Sequence, residues 1–153
     1  MTNLLSQLKQ QEGFVSHIYL DTEKIPTFGY GYNLNANPLH LSTEYLDNVQ
    51  KNGITMEEAE KLLLRCINDV ALECERTFVW WSKLTKVRQE VLINMCFNIG
   101  MRKLLGFKKT LRLIEIGDYL NASAEMLHST WARQIGHRAD VLSKQLCTGR
   151  YEA

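Results

Sequence analysis

The chain has 153 residues, about the length of one ordinary domain and enough to bury a hydrophobic core. A hydrophobic fraction of 45% and a charged fraction of 23% are typical of globular proteins and exclude a disordered chain. The net charge of +1 gives no overall field that would attract a polyanion, so nucleic acid is not an expected partner.

The N-terminal sequence MTNLLSQLKQQEGF has no basic stretch followed by a long apolar run, and so does not resemble a secretory signal. No apolar run approaches the roughly 20 residues that a membrane-spanning helix needs. We therefore expect a leaderless protein that is made in the cytoplasm and has no stable association with a membrane.

The cysteines form no CxxC pair and show no metal-ligand spacing, and the histidines are scattered along the chain. Buried free thiols in a reducing compartment are the expected state of Cys66, Cys74, Cys96 and Cys147. The sequence predicts neither a metal site nor a cofactor.

The first predicted element is a short amphipathic helix over residues 3–12, with Leu4, Leu5 and Leu8 on one face and Gly13 at its end. The two β-prone runs FVSHIYL and IPTFGYGYN are separated by the polar turn DTEK and predict a hairpin. A short helix is expected next, near STEYLDNV.

Thr55 and Glu58 form a capping box, which predicts the start of a helix. Apolar residues at three- and four-residue spacing continue to Thr77, giving about six turns and a length on the order of 33 Å. A helix over 85–99 is apolar on nearly every side from Val91 onward, which predicts a buried helix. Glycines separate further short helices, predicted near 107–116, 118–128 and 137–147.

These elements predict a mostly helical α+β fold built as one 153-residue domain. The predicted organisation is a small N-terminal α+β lobe over 13–57, with a β-hairpin sheet, and a connecting helix over 58–77. The predicted C-terminal lobe is entirely helical and combines residues 78–153 with the N-terminal helix 3–12. The tryptophans Trp80, Trp81 and Trp131 are expected to pack inside it.

Three residues of the stretch QEGFVSHIYLDTEKIPTFGYGYN are candidates for catalysis. Glu12 lies at the negative end of a helix dipole, so we expect its pKa to be raised, as a general acid requires. Asp21 opens the turn and Thr27 lies on the returning strand. Each has an ordinary alternative: a surface Glu, a turn-capping Asp and a β-branched strand residue.

The hairpin supplies a geometry that could unite these three residues. A hairpin directly after the helix would hold Glu12 across a groove from Asp21, with Thr27 beside Asp21. Two carboxyl groups in unequal environments are the minimum set for glycoside hydrolysis, and a separation of roughly 6.5–9.5 Å leaves room for a water. The glycines of GYGY, Gly29 and Gly31, indicate a bulge, a ligand or a close backbone approach.

The spacing E-x8-D-x5-T, carried in EGF…YLDTE…TFGYG, resembles the signature of the phage-type lysozymes. The segment ITMEEAEKLL resembles the start of that family's long inter-lobe helix. The segment VRQEVLINMCFNIG resembles its buried central helix, and GFKKTLRLI follows at the same spacing. With STWARQIGHRA near the end, the resemblance covers nearly the whole chain.

The resemblance implies inverting hydrolysis of the β-1,4 bond between N-acetylmuramic acid and N-acetylglucosamine in peptidoglycan. Glu12 would protonate the leaving oxygen. Asp21 would activate a water or stabilise the cationic sugar, and Thr27 would position that water. The resemblance also implies that Arg138 is a supporting cation near Glu12. It further implies that Asn33, Phe97 and Thr110 contact the glycan.

Two further features bear on the substrate. Pro26 and Tyr32 stand where family members usually have an aromatic residue and a histidine, and Asn33 replaces an apolar residue, so the subsite contacts and the pH optimum are not predicted. Five basic residues lie close together with no acidic residue among them: Arg102, Lys103, Lys108, Lys109 and Arg112. This basic run forms either a solvated face or a surface for the carboxylates of peptidoglycan stem peptides.

The resemblance also implies a biological setting. A monomeric endolysin of this kind stays in the cytoplasm of the host bacterium until a holin-type pore releases it to the periplasm, where it lyses the cell. Two alternatives stay open from the sequence: a lytic transglycosylase of lysozyme-like fold, and a non-catalytic peptidoglycan-binding module of a phage particle. A DNA-binding module has little support, because no helix-turn-helix context stands out.

Overall fold

A computed structural model describes residues 2–34 and 41–151 of the chain. The chain divides into two compact units, Met1–Cys66 and Ile67–Ala153, and each is described by itself. The fold is mostly helical with a small three-stranded antiparallel sheet, which confirms the predicted α+β class. The predicted grouping of helix 3–12 with the C-terminal lobe stays a prediction.

The first unit begins with helix α1, Thr2–Glu12, close to the predicted bounds. Leu4 and Leu8 are fully buried, as the amphipathic pattern indicates. Gly13 ends the helix with a φ of 70°, and its N–H donates to the carbonyl of Lys9 at 3.0 Å. The Lys9 ammonium is 2.9 Å from Glu60 Oε1 and so ties α1 to the start of the long helix.

The sheet has the strand order β1-β2-β3, formed by Val15–Leu20, Pro26–Gly29 and Tyr32–Asn33. The predicted hairpin is confirmed as β1 and β2. The third strand was not predicted, because it has only two residues and follows a two-residue connection, Tyr30 and Gly31.

The register of the sheet divides its residues between two faces. Phe28 pairs with Tyr32, and their rings are 5.3 Å apart in the buried interior of the unit. Thr27 is the neighbour of Phe28 in β2 and therefore faces the other way. It pairs with Tyr19 of β1 and with Asn33 of β3.

Helix α2, Thr43–Asn52, matches the predicted short helix and begins at the N-cap Ser42. Helix α3, Met56–Thr77, has 22 residues and begins at the predicted capping box. Glu58 N–H donates to Thr55 Oγ1 at 3.1 Å, and Thr55 N–H donates to Glu58 Oε1 at 3.3 Å. The boundary between the two units falls within α3.

The second unit continues with a 3-10 turn at Trp81–Lys83 and then consists of helices. Helix α4, Lys86–Leu105, continues past the predicted end at residue 99, although Gly100 interrupts it with a φ of 82° and a ψ of 161°. The short helix α7, Thr130–Ile135, was not predicted, because six residues are too few to show a period. The helices after α4 are α5 Lys108–Glu115, α6 Tyr119–Met126, α7 Thr130–Ile135 and α8 His137–Thr148.

The interior of this unit confirms the predicted buried helix, since Val91 to Cys96 of α4 are all buried. The three tryptophans are buried as expected, and Phe78 stacks against Trp80 at 4.8 Å. Of the cysteines, Cys66, Cys74 and Cys96 are buried and Cys147 is half-buried. Two effects raise the pKa of the Cys96 thiol: a hydrogen bond with Cys74, which is the larger effect, and burial.

Arg88 of α4 ties α4 to the end of α8. Its Nε and Nη2 donate to the carbonyls of Leu146 and Cys147 at 2.8 and 2.9 Å. Its guanidinium carbon lies 3.8 Å from the centre of the Tyr119 ring. These carbonyls belong to the last turn of a helix, where no N–H of the helix itself can satisfy them.

We expect Arg88→Ala to lower the free energy of unfolding by about 2 kcal/mol, because it removes two charge-assisted hydrogen bonds and a cation–π contact. Chemical denaturation measures the change. Lys86→Ala is the matched control, since Lys86 is an exposed cation on the same helix. Equal stabilities for the two variants would contradict this role of Arg88.

Candidate active site

Glu12 is the last residue of α1 and is half-buried. A Cβ atom built on Gly31 would lie 3.1 Å from both the carboxyl carbon and Oε1 of Glu12. Gly31 also has a φ of 66°, which favours glycine. The close backbone approach expected at GYGY is therefore present, and the carboxyl group that packs there is that of Glu12.

Asp21 follows β1 and caps the turn, as its residue type predicts. Its Oδ1 accepts the backbone N–H groups of Glu23 and Ile25 at 2.8 and 2.9 Å. Within the described part of the chain, both hydrogen bonds of this carboxylate go to Oδ1. The turn thus fixes the orientation of the carboxylate while Oδ2 stays available to a ligand.

Thr27 lies in β2 and is 5% exposed. Its Oγ1 donates to the carbonyl of Ile25 at 3.0 Å. The same carbonyl accepts the N–H of Asp21 at 3.0 Å, while the N–H of Ile25 donates to Asp21 Oδ1. One peptide residue, Ile25, therefore holds both Asp21 and Thr27 through hydrogen bonds.

The committed hydroxyl proton limits what Thr27 can do. Because Oγ1 donates to Ile25, its remaining capacity is to accept a hydrogen bond. A water that donates a hydrogen bond to Thr27 Oγ1 would direct its lone pairs away from Thr27. This is the arrangement that a nucleophilic water needs.

Tyr19 belongs to the same face of the sheet, although the sequence did not single it out. It is the cross-strand partner of Thr27 and is 38% exposed. Burial raises the pKa of Tyr19, and the negative charges of Glu12 and Asp21 raise it further. Both carboxylates therefore lie within electrostatic reach of one phenol group. The β-prone run FVSHIYL predicted a strand that contains Tyr19, but that strand alone does not show that Tyr19 pairs with Thr27.

Asn33 completes the row across the sheet, because it pairs with Thr27 from β3. It is half-buried. The structure thus places Tyr19, Thr27 and Asn33 in one row across the sheet, with Asp21 directly after β1 and the Glu12 carboxyl against Gly31. The catalytic and glycan-binding roles assigned to Glu12, Asp21, Thr27 and Asn33 stay predictions.

The other predicted site residues belong to the second unit. Phe97 is half-buried on α4, and Thr110 is 3% exposed on α5. Arg138 of α8 donates through Nη2 to Oδ1 of the fully buried Asn94 at 2.9 Å. The predicted proximity of Arg138 to Glu12 concerns both units and stays a prediction.

Thr110 lines a cavity of about 550 Å³ in the second unit. Three of the five residues of the basic run, Lys103, Lys108 and Lys109, line the same cavity. Lys109 Nζ lies 3.5 Å from Glu125 Oε2, so one of these cations is partly balanced. The other lining side chains that are polar or aromatic are Phe107, Glu125, His128, Ser129, Thr130, Trp131 and Gln134.

Residues 2–34 and 41–151 have neither a metal-type cluster nor a membrane-spanning helix. Within these ranges no three His, Cys, Asp or Glu side chains are grouped to hold a metal ion. No helix there combines the length and the apolar character that crossing a membrane requires.

Comparison with known proteins identifies the family. The chain is similar to "Probable T4-type lysozyme 1" of Dictyostelium discoideum, with 29% identity over 100% of this chain and 98% of that protein. It is 27% identical to "Probable T4-type lysozyme 2" of the same organism, over 97% and 96%. It is also 27% identical to the pre-baseplate central spike protein of Enterobacteria phage T4, over 99% of this chain but 28% of the spike protein. A family model described as phage lysozyme matches residues 9–146, and the chain therefore belongs to the phage lysozyme family.

Proposed function

We propose that this chain is a muramidase that hydrolyses the β-1,4 bond between N-acetylmuramic acid and N-acetylglucosamine in bacterial peptidoglycan. Membership of the phage lysozyme family supports the broader statement, a glycoside hydrolase of lysozyme type acting on peptidoglycan. The observation that carries the specific reaction is the pair of hydrogen bonds by which Ile25 fixes Asp21 and Thr27.

The first half of the proposed reaction is protonation of the leaving group. Glu12 donates its proton to the glycosidic oxygen as the bond to the muramic acid C1 breaks. The glycine at position 31 leaves room for the Glu12 carboxyl beside the sheet. The sugar gains oxocarbenium character, and the negative charge of Asp21 stabilises it.

The second half is attack by water on the opposite face of the sugar. The water donates one hydrogen bond to Thr27 Oγ1 and its other proton to Asp21 Oδ2, while its oxygen bonds to C1. Asp21 gains the proton that the water loses. Attack opposite to the leaving group inverts the configuration at C1.

The proposed setting is lysis of the host bacterium. In this account the enzyme works as a monomer, waits in the host cytoplasm and reaches the periplasm through a holin-type membrane pore. No cofactor takes part in the proposed reaction.

Two alternatives lead to different products or none. A lytic transglycosylase would use the substrate's own 6-hydroxyl and needs no water site, so the Asp21 and Thr27 arrangement favours hydrolysis. A module of a phage particle is the alternative that the similarity to a spike protein favours. A structural module of that kind does not need a carboxylate that is oriented to bind a water. A lysis assay distinguishes such a module from an enzyme.

We expect Glu12→Gln to abolish lysis of chloroform-treated Gram-negative cells, because an amide cannot supply the proton. Loss of turbidity measures lysis, and the far-UV circular dichroism of the variant should match that of the original chain. The control is Glu75→Gln, at an exposed position of α3, which should keep full activity. Full lysis by Glu12→Gln would rule out the acid role.

Gly31→Ala should lower kcat by about tenfold or more, because the added methyl group displaces the Glu12 carboxyl. The matched control is Gly117→Ala, whose φ of 83° gives a similar backbone strain but whose Cβ would meet no atom within 4 Å. Both variants should lose about 1 kcal/mol of stability. If kcat falls equally in both, displacement of Glu12 is not the cause.

We also propose that the cavity beside Thr110 receives carboxylates of the stem peptides. The double variant Lys108→Ala/Lys109→Ala should raise KM several-fold for peptide-bearing glycan at low salt and leave KM for peptide-free glycan unchanged. The control is Lys83→Ala/Lys86→Ala, which removes the same charge from exposed positions outside the cavity. A rise in KM for both substrates would contradict a peptide site.

A further inference from the structure

Tyr19 is the one large aromatic side chain of β1, and it lies on the sheet face that carries Thr27. Its cross-strand partner Thr27 is 5% exposed, whereas Tyr19 is 38% exposed. Directly paired residues of antiparallel strands lie on the same face with Cβ atoms about 5 Å apart. Asp21 follows β1 directly, and its carboxylate acts electrostatically on Tyr19.

The electrostatic surroundings of Tyr19 agree with this placement. The charged groups that act on it are Glu12 at the end of α1 and Asp21 in the turn, and Glu12 acts the more strongly. Since burial and both charges raise the pKa of Tyr19, the phenol keeps its proton at neutral pH. No hydrogen bond commits that proton to another side chain or carbonyl in the described part of the chain.

A neutral donor beside two carboxylates is useful only to the one that gains negative charge. In the proposed reaction Asp21 takes up a proton, and its Oδ1 already accepts two backbone N–H groups. Glu12 instead loses its proton and becomes an anion as the glycosidic bond breaks. A hydrogen bond to Glu12 therefore strengthens as the transition state forms, which is the condition for lowering the barrier.

We propose that Tyr19 is a positioning residue of the hydrolytic site, whose hydroxyl donates a hydrogen bond to the Glu12 carboxylate as that carboxylate forms. The inference rests on the proposed function, because it needs Glu12 to be the acid. The competing role for Tyr19 is an aromatic surface for a sugar ring, for which the hydroxyl is not needed.

Tyr19→Phe separates the two roles, because it keeps the ring and removes only the hydroxyl. Loss of a hydrogen bond to a charged group should lower kcat by about tenfold or more and change KM less than about twofold. The basic limb of the kcat/KM profile, where the acid loses its proton, should move to higher pH. An unchanged kcat with an unchanged pH profile would overturn the inference, as would a rise in KM alone.

The control variant is Tyr45→Phe. Tyr45 is a half-buried tyrosine of the first unit, and burial and the charge of Glu58 raise its pKa as well. It lies on α2 and has no part in the proposed chemistry, so removal of its hydroxyl should leave kcat and the pH profile unchanged. Thermal unfolding of both variants measures any general loss of stability.

A second measurement does not depend on turnover. The titration of the Glu12 carboxyl carbon, followed by NMR in the free protein, should move to higher pH in Tyr19→Phe and stay in place in Tyr45→Phe. An identical titration in all three proteins would refute the contact between Tyr19 and Glu12. If the original chain fails to release reducing ends from peptidoglycan, the proposed function fails, and the NMR titration still decides whether Tyr19 acts on Glu12.

Discussion

The backbone of Ile25 is the constraint on which the candidate site depends. Its N–H orients the carboxylate of Asp21, and its carbonyl accepts both the N–H of Asp21 and the hydroxyl of Thr27. Backbone groups in a short turn between two paired strands have little freedom, so the two side chains cannot move independently. In the proposed mechanism this carboxylate and this hydroxyl oxygen share one water, and they are held in place before the substrate binds, which is how electrostatic preorganisation lowers a barrier.

Different contacts hold Glu12, the proposed acid. Glu12 ends a helix whose Leu4 and Leu8 are fully buried, and its carboxyl group packs against a glycine that has no side chain. The glycine belongs to the connection between β2 and β3, so the sheet that carries Thr27 also shapes the space for Glu12. The helix end and the sheet therefore hold the proposed acid and the proposed water site in one compact unit. This arrangement explains why the three residues lie within a short stretch of sequence.

Local signals were sufficient for much of the fold. The capping box at Thr55 and Glu58 predicted the start of α3, and the apolar character of 91–99 predicted the burial of α4. The two-residue strand β3 and the six-residue helix α7 were missed, since neither is long enough to show a period. Tyr19 was missed for another reason: its importance depends on its pairing with Thr27, which is a contact between strands and cannot be read from either strand alone.

In the proposed mechanism the first unit holds a water, and not a substrate hydroxyl, for attack on C1. Digestion of peptidoglycan in heavy-oxygen water, with the products resolved by anomer-specific NMR and mass spectrometry, tests it most directly. The new reducing ends should carry one heavy oxygen and first appear as the inverted α-anomer. Products with 1,6-anhydromuramic ends, or with retained β-configuration, would contradict it.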